Sequence, residues 1–417
     1  MNSMPDRDFS AVSLFAGCGG SSLGYYMAGG RVLLAVEWDP RAAACYMANF
    51  PGTPFHLGDI AELSGGEAMR LAGLWEPGEL DILDGSPPCQ GFSTAGKRQA
   101  GDPRNGLFWE YVRLLGAFRP KAFVMENVSG LVKGRMRPAF REITAALKAA
   151  GYEVRCRLVD AKWLGVPQER KRLIWLGARS DLGLVPEHPK PFGRPISVAE
   201  ALGGAVQAVV SNSSFRAVLR SPELASPTLT AGNRLANVGM ANRQMARGRD
   251  AVETVTAAVA RGMDRPAPAL CAGRKPIMAE SHSPQVIEAW RASRPGQSLQ
   301  KARCYVGSFQ SCRLDPAAPS PTAIAAHRHW HYAQPRYITI EEAKVLSSFP
   351  ESFRIEKRDY RLIGNAVPPL MAKAIAEAVY DSVVLPARER IRAAQAAGSA
   401  DMSDSQTLAT LQPEAAS

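Results

Sequence analysis

The first 180 residues alternate short apolar runs with stretches of helical periodicity. AVSLFAG, RVLLAVEWD, LDILDGSPP, KAFVMENV and RLIWLGA are apolar runs of strand length, each closed by glycine, proline or a carboxylate. Between them, PRAAACYMANF and the stretches from Leu107 to Phe118 and from Pro138 to Ala150 repeat apolar residues every three or four positions. Asp39 is placed to cap its helix, and Pro40 suits the first helical turn. Strands alternating with helices predict an α/β domain: a mostly parallel sheet with helices on both faces.

The pattern changes at PEHPKPFGRPIS, residues 186–197, a proline-rich stretch read as a hinge. Beyond it the chain is irregular and rich in Ser, Pro, Gly and Arg. From Arg336 regular patterning returns: ITIEEAKVLSSFP and the residues from Pro368 to Gln395 have helical spacing. The organisation expected is a first domain over 1–185, a second over 186–335, and a return to the first over 336–397. Residues 398–417 carry no basic and few apolar residues and are expected to be disordered.

Composition adds three points. The chain of 417 residues is 46% hydrophobic and 21% charged, ordinary for a globular protein. It has no long apolar span and no apolar leader, so no membrane partner and a cytoplasmic location are expected. Seven scattered cysteines without a C-x-x-C pair argue against a disulfide framework or a zinc knuckle. The formal charge is +11, and residues 211–335 hold 16 Lys/Arg against 7 Asp/Glu, a net +9. That concentration fits a polyanion, with nucleic acid the leading candidate. A merely arginine-rich surface would look the same, and charge alone does not separate the two.

Four stretches carry candidate chemistry. FAGCGGSSLG places Gly17 and Gly19 at a strand-to-helix turn, and Glu37 follows about twenty residues later, where an acid can hold a ribose diol. Nicotinamide and S-adenosylmethionine sites share both features. In GDI, Asp59 can accept from an adenine amino group while Ile60 packs on the ring, and Trp38 offers a flat apolar surface. In GSPPCQGFS, two prolines stiffen the approach to Cys89. A free thiol is about one-tenth thiolate at pH 7.5, and a fixed approach aims it at a partner. Glu126 in ENV ends the next strand. Arg170 and Arg172 in QERKR share a face if extended, suiting a phosphate or carbonyl oxygen. His327, His329 and His331 in HRHWH could also share a face. With no other sign of a metal enzyme, packed or DNA-facing histidines are the better reading, and no metal is expected.

Taken in order, FAGCGG, VEWD, GDI, GSPPCQGFS, DPRNGL, ENV, GVPQERKR, PSPT, RYITIEEAKVLSSFP and GNAVPP resemble the DNA (cytosine-5) methyltransferases, of the bacterial restriction–modification type. The likeness covers about 1–180 and 319–380. It implies a Rossmann-like methyltransferase sheet, with a smaller loop-rich target-recognition domain where the basic middle falls. It implies an S-adenosylmethionine site at Phe15, Gly17, Gly19, Glu37, Trp38, Asp59, Ile60, Asn365 and Val367, with Cys89 as the nucleophile. Glu126 would hold the cytosine N3 and amino edge, Arg172 would reach O2 and Arg170 would support the site. Gln90, Ser93, Lys97 and Arg98 would close over DNA. Ser13 departs from the pattern, because the family often has Asp before Leu-Phe-Ala-Gly.

The implied activity is methylation of C5 of a flipped cytosine in a specific duplex, through a covalent bond from Cys89 to C6. The implied setting is a monomer, nucleoid-associated through double-stranded DNA, with a cognate restriction endonuclease acting independently. An RNA cytosine-5 methyltransferase is the alternative within the class, and the basic middle favours duplex DNA. A silent DNA-binding relative is the alternative outside it, and the presence of Cys89, Glu126 and both arginines speaks against that.

Overall fold

The computed structural model describes residues 7–88, 106–205, 284–298, 312–322, 329–355 and 359–396. Cys89, Gln90, Ser93, Lys97, Arg98, His327, most of the basic middle and the tail from 398 lie outside them.

The central sheet has seven strands: β1 (Phe9–Leu14), β2 (Gly30–Glu37), β3 (Phe55–Leu57), β4 (Ile82–Gly85), β5 (Ala122–Val128), β6 (Tyr152–Asp160) and β8 (Lys171–Arg179), in the order β3-β2-β1-β4-β5-β8-β6. A two-residue strand, β7 (Gln168–Glu169), precedes β8 and pairs in parallel with β9 (Ser320–Pro321). The first five strands run parallel. β8 is antiparallel to both β5 and β6. The expected mostly parallel sheet is thus observed, with an antiparallel edge that the apolar pattern did not show. YEVRCRLVD, now β6, has alternating exposure because it lies at the edge.

Helices cover both faces. One face carries α1 (Gly20–Met27), α7 (Ile340–Leu346), α8 (Tyr360–Asn365) and α9 (Pro369–Val379) over a core that includes Leu23, Val124, Ile174, Leu346 and Ile375. The other carries α3 (Gly65–Leu71), α4 (Gly106–Phe118) and α5 (Arg137–Ala149) over Leu14, Leu83, Phe123, Leu147 and Trp175. α2 (Pro40–Asn49) starts as the sequence predicts: Asp39 accepts from the Arg41 N–H at 2.9 Å, with Pro40 in the first turn. α6 (Pro284–Ala292) belongs to the middle segment, where Trp290 packs with Trp330, and Arg313 lies 4.0 Å over the Trp290 ring.

The C-terminal return is built into the first core, not laid upon it. A methyl group at Gly24 of α1 would lie 2.5 Å from the Ala372 side chain and 2.6 Å from the Pro369 carbonyl, so only glycine lets α1 and α9 approach so closely. Thr339 and Glu342 form a reciprocal capping box that starts α7. At the amino-terminal end of the parallel strands, buried Asp81 is held by Lys121 at 3.1 Å, by Arg388 at 2.6 Å and by the Ser10 N–H at 2.8 Å.

Candidate active site

The strand order reverses at β1, which has β2 on one side and β4 on the other. In open α/β sheets, ligands sit beyond the carboxyl ends of strands at such a switch point. The chain leaves β1 through Phe15 (φ 56°), Gly17 (φ 58°) and Gly19 (φ 95°), all in the left-handed region, and enters α1. The space in front of Gly17 is open, with no heavy atom within 4 Å of where a methyl group would stand. At Gly20 that position is 2.2 Å from the Val367 carbonyl, so the turn is seated directly on the GNAVPP segment.

Glu37, at the end of β2, faces this turn. Its Oε2 accepts from the Gly17 N–H at 2.7 Å, and its Oε1 from the Trp38 and Asp39 N–H groups, each at 2.9 Å. A carboxylate offers roughly four acceptor positions, so these bonds leave about one for a ligand hydroxyl. Burial pushes the Glu37 carboxyl pKa up, against the pull of the three N–H groups. Trp38 beside it is 71% exposed. Asp59, after β3, is exposed and accepts from the Ala61 N–H at 3.0 Å. Ile60 is turned into the core, 4% exposed, so Trp38 rather than Ile60 provides the broad apolar surface. Asn365 is exposed at the end of α8 and Val367 is half-buried. Open backbone, residual acceptor capacity and an exposed aromatic plane fit a nucleoside-bearing cofactor.

Beyond β4 the chain reaches Pro87 and Pro88, the last described residues before Cys89. The Asn127 amide donates to the Pro87 carbonyl at 2.9 Å, while its own oxygen accepts from the Val128 N–H at 2.8 Å. Asn127 therefore ties the approach to Cys89 onto β5. Within ENV the sequence points to the glutamate alone, because a strand-end amide carries no signal until its partner is known. Glu126 and Arg172 meet at the same edge, Nε to Oε1 at 2.7 Å, with both side chains mostly buried. Antiparallel pairing makes this possible, because β8 begins where β5 ends and Val128 stands opposite Arg172.

Arg170 is 2% exposed and donates to the Gly364 carbonyl at 3.0 Å. Burial, with Arg172 adding to it and Glu126 opposing, pulls its guanidinium pKa down to about 9. It remains charged at neutral pH and clamps the C-terminal return to the strand edge. Gln168, also buried, bonds the Ser347 hydroxyl at 3.1 Å from the same segment.

Cys18, Cys156 and Cys312 are poorly suited to attack. Hydrogen bonding to Cys45 and burial raise the Cys18 pKa, while burial takes Cys156 to about 12 and Cys312 to about 11. His329 and His331 are buried: the first approaches the Cys312 sulfur at 3.6 Å, and the second accepts from the Ala333 N–H at 3.0 Å. Among the described residues, no cluster of His, Cys, Asp or Glu is disposed to hold a metal ion. No described helix is long and apolar enough to cross a membrane.

This sheet, with its glycine turn at the switch point, is the fold of S-adenosylmethionine-dependent methyltransferases. The family model for C-5 cytosine-specific DNA methylases matches residues 9–381. The Type II methyltransferase M.XorII of Xanthomonas oryzae is 34% identical over 383 residues, spanning 87% of this chain and 82% of the relative. M1.HphI of Haemophilus parahaemolyticus is 32% identical, spanning 88% and 86%. Among solved structures, a protein designated a DNA modification methyltransferase from an E. coli prophage superposes with a TM-score of 0.63 at 25% identity, covering 90% of this chain and 99% of that one. The chain belongs to the C-5 cytosine-specific DNA methylase family: it is a DNA cytosine-5 methyltransferase with S-adenosylmethionine as methyl donor.

Proposed function

We propose that the protein methylates C5 of a cytosine extruded from a specific DNA duplex, with Cys89 as a covalent nucleophile, in a restriction–modification setting. The observation that carries this reading is the placing of three elements at the carboxyl ends of the adjacent strands β1, β4 and β5: the open turn at Gly17, the Asn127-anchored approach to Cys89 and the Glu126–Arg172 pair. A stacked base offers no path to a thiol, so the target must leave the helix.

The Cys89 thiolate adds to C6 and breaks the C5–C6 double bond, which makes C5 enamine-like. Glu126 accepts from the base's amino group and shares a proton with N3, neutralising the charge that develops on the ring. Arg172, oriented by its bond to Glu126, reaches toward O2, and Arg170 holds the strand edge beneath it. The donor supplies an electrophilic methyl group, which C5 can take once activated. Loss of the C5 proton, with water as the base, then restores the double bond and expels Cys89 as thiolate. Phe15, Gly17, Gly19, Glu37, Trp38, Asp59, Asn365 and Val367 hold the donor, with Ile60 supporting them from the core.

Residues 186–335 serve as the target-recognition domain, their net positive charge anchoring phosphates. Gln90, Ser93, Lys97 and Arg98 close over DNA. Residues 336–397 complete the catalytic domain of 1–185. Relatives named as Type II methyltransferases support a modification role beside an independently acting endonuclease. The test is bisulfite sequencing of DNA from a methylation-free host expressing the chain. Protected cytosines in one repeated sequence context are expected; soluble protein with no such context would overturn the reading.

A further inference from the structure

Asp84 is a buried acid that none of the roles above uses. It stands at the end of β4, five residues before Cys89, and is 4% exposed. The register of β1 on β4 puts it beside Ser13, and the Ser13 hydroxyl donates to its Oδ2 at 3.1 Å. The hydroxyls of Ser21 and Tyr25, one turn apart on α1, face the same carboxylate and favour its ionised form. Glu126 lies near enough for its charge to act on Asp84, and the charge of Asp84 is felt by the buried phenols of Tyr25, Tyr46 and Tyr111. Asp84 thus touches or faces three pieces of the machinery: the strand that delivers the thiol, the strand that ends in the glycine turn, and the helix that this turn starts.

Resting on the reading above, we infer that Asp84 is a positioning residue for methyl transfer, tethering α1 and β1 beneath the donor to the strand that presents Cys89. Burial raises its pKa to about 6, so the ionised form is disfavoured in the fold. An acid kept where it works against stability, between two halves of a reacting site, is placed for use. The position also meets the Ser13 departure in the sequence. Residues 13 and 84 are adjacent on one face of the sheet, so the carboxylate can sit on either strand and serve the same hydroxyls.

The test compares the full-length wild type with Asp84→Asn and with the exchange variant Ser13→Asp/Asp84→Ser, measuring kcat, donor Kd by calorimetry and Tm. Asn keeps the shape but supplies only one acceptor oxygen, so the three hydroxyls can no longer all donate. Asp84→Asn is expected to lose at least about tenfold in kcat, with donor Kd within about threefold and Tm within a few degrees. The exchange variant should recover most of the lost rate. Wild-type kcat in Asp84→Asn overturns the inference, as does a rate loss that merely follows Tm or that the folded exchange variant does not recover. Should the exchange variant not fold, the kcat-against-Kd split of Asp84→Asn decides alone. A wild type that methylates no duplex sinks the parent reading instead, which keeps the two failures distinct.

Discussion

Glu37→Gln is a sharp perturbation because the carboxylate's partners are all backbone. Three N–H groups converge on two oxygens, at 2.7, 2.9 and 2.9 Å, in a residue only 8% exposed. Glutamine has one oxygen. If that oxygen keeps the Trp38 and Asp39 donors, the new amide nitrogen faces the Gly17 N–H, donor against donor. The Gly17 bond is lost from the fold, and with it goes the residual acceptor position for a ribose hydroxyl, a charge-assisted bond to the donor of about 1.5–3 kcal/mol. Part of the folding cost is offset, because burial already raises the Glu37 pKa and a neutral amide relieves that burden. Stability should therefore fall little, by a few degrees in Tm, while donor affinity falls by the whole bond. At about 1.4 kcal/mol per tenfold, that is roughly a 10- to 150-fold weaker Kd. Titration calorimetry with S-adenosylmethionine, paired with a thermal melt, reads both. A Kd within threefold of wild type would refute the assignment of Glu37 to the ribose. A large drop in Tm would show that the turn itself had collapsed.

Three further outcomes are expected. Cys89→Ser should abolish turnover with donor Kd nearly unchanged, and a 5-fluorocytosine duplex with donor should become attached at Cys89 by peptide mass spectrometry; an adduct elsewhere would remove Cys89 from the mechanism. Arg388→Met should cost about 1–3 kcal/mol by leaving buried Asp81 with Lys121 as its remaining cation. Burial alone would raise the Asp81 pKa, but Arg388, Lys121 and the Ser10 N–H bring it below its usual range. The stabilisation is therefore complete above the ordinary aspartate pKa and disappears as pH falls through the lowered one, so the mutational loss measured in urea should shrink in acid. A loss that grew as pH fell would contradict this sign. Deleting 398–417 should leave Tm and methylation nearly unchanged, and failure to fold would show that the tail carries structure.

The sequence by itself determined the elements whose cause is local. Apolar runs of strand length, the Asp39-Pro40 start of α2 and the capping box before α7 depend on residues within a few positions of one another. Ordered motifs also named the family, because glycine turns, a proline-stiffened thiol and strand-end acids are written contiguously. The tertiary structure decided what depends on distant partners. The antiparallel β5–β8–β6 edge turns Arg172 onto Glu126, a pairing absent from the spacing of QERKR. Arg170, whose charge acts with those of Arg172 and Glu126, also donates to the carbonyl of Gly364, nearly 200 residues away in sequence. Asn127 acquires its role only when β5 lies beside the end of β4, and Asp84 only when β1 and α1 close over it. Periodicity reports which face of an element is buried. Only chain closure, which brings residues 336–396 back onto α1, fixes which buried polar groups share a site.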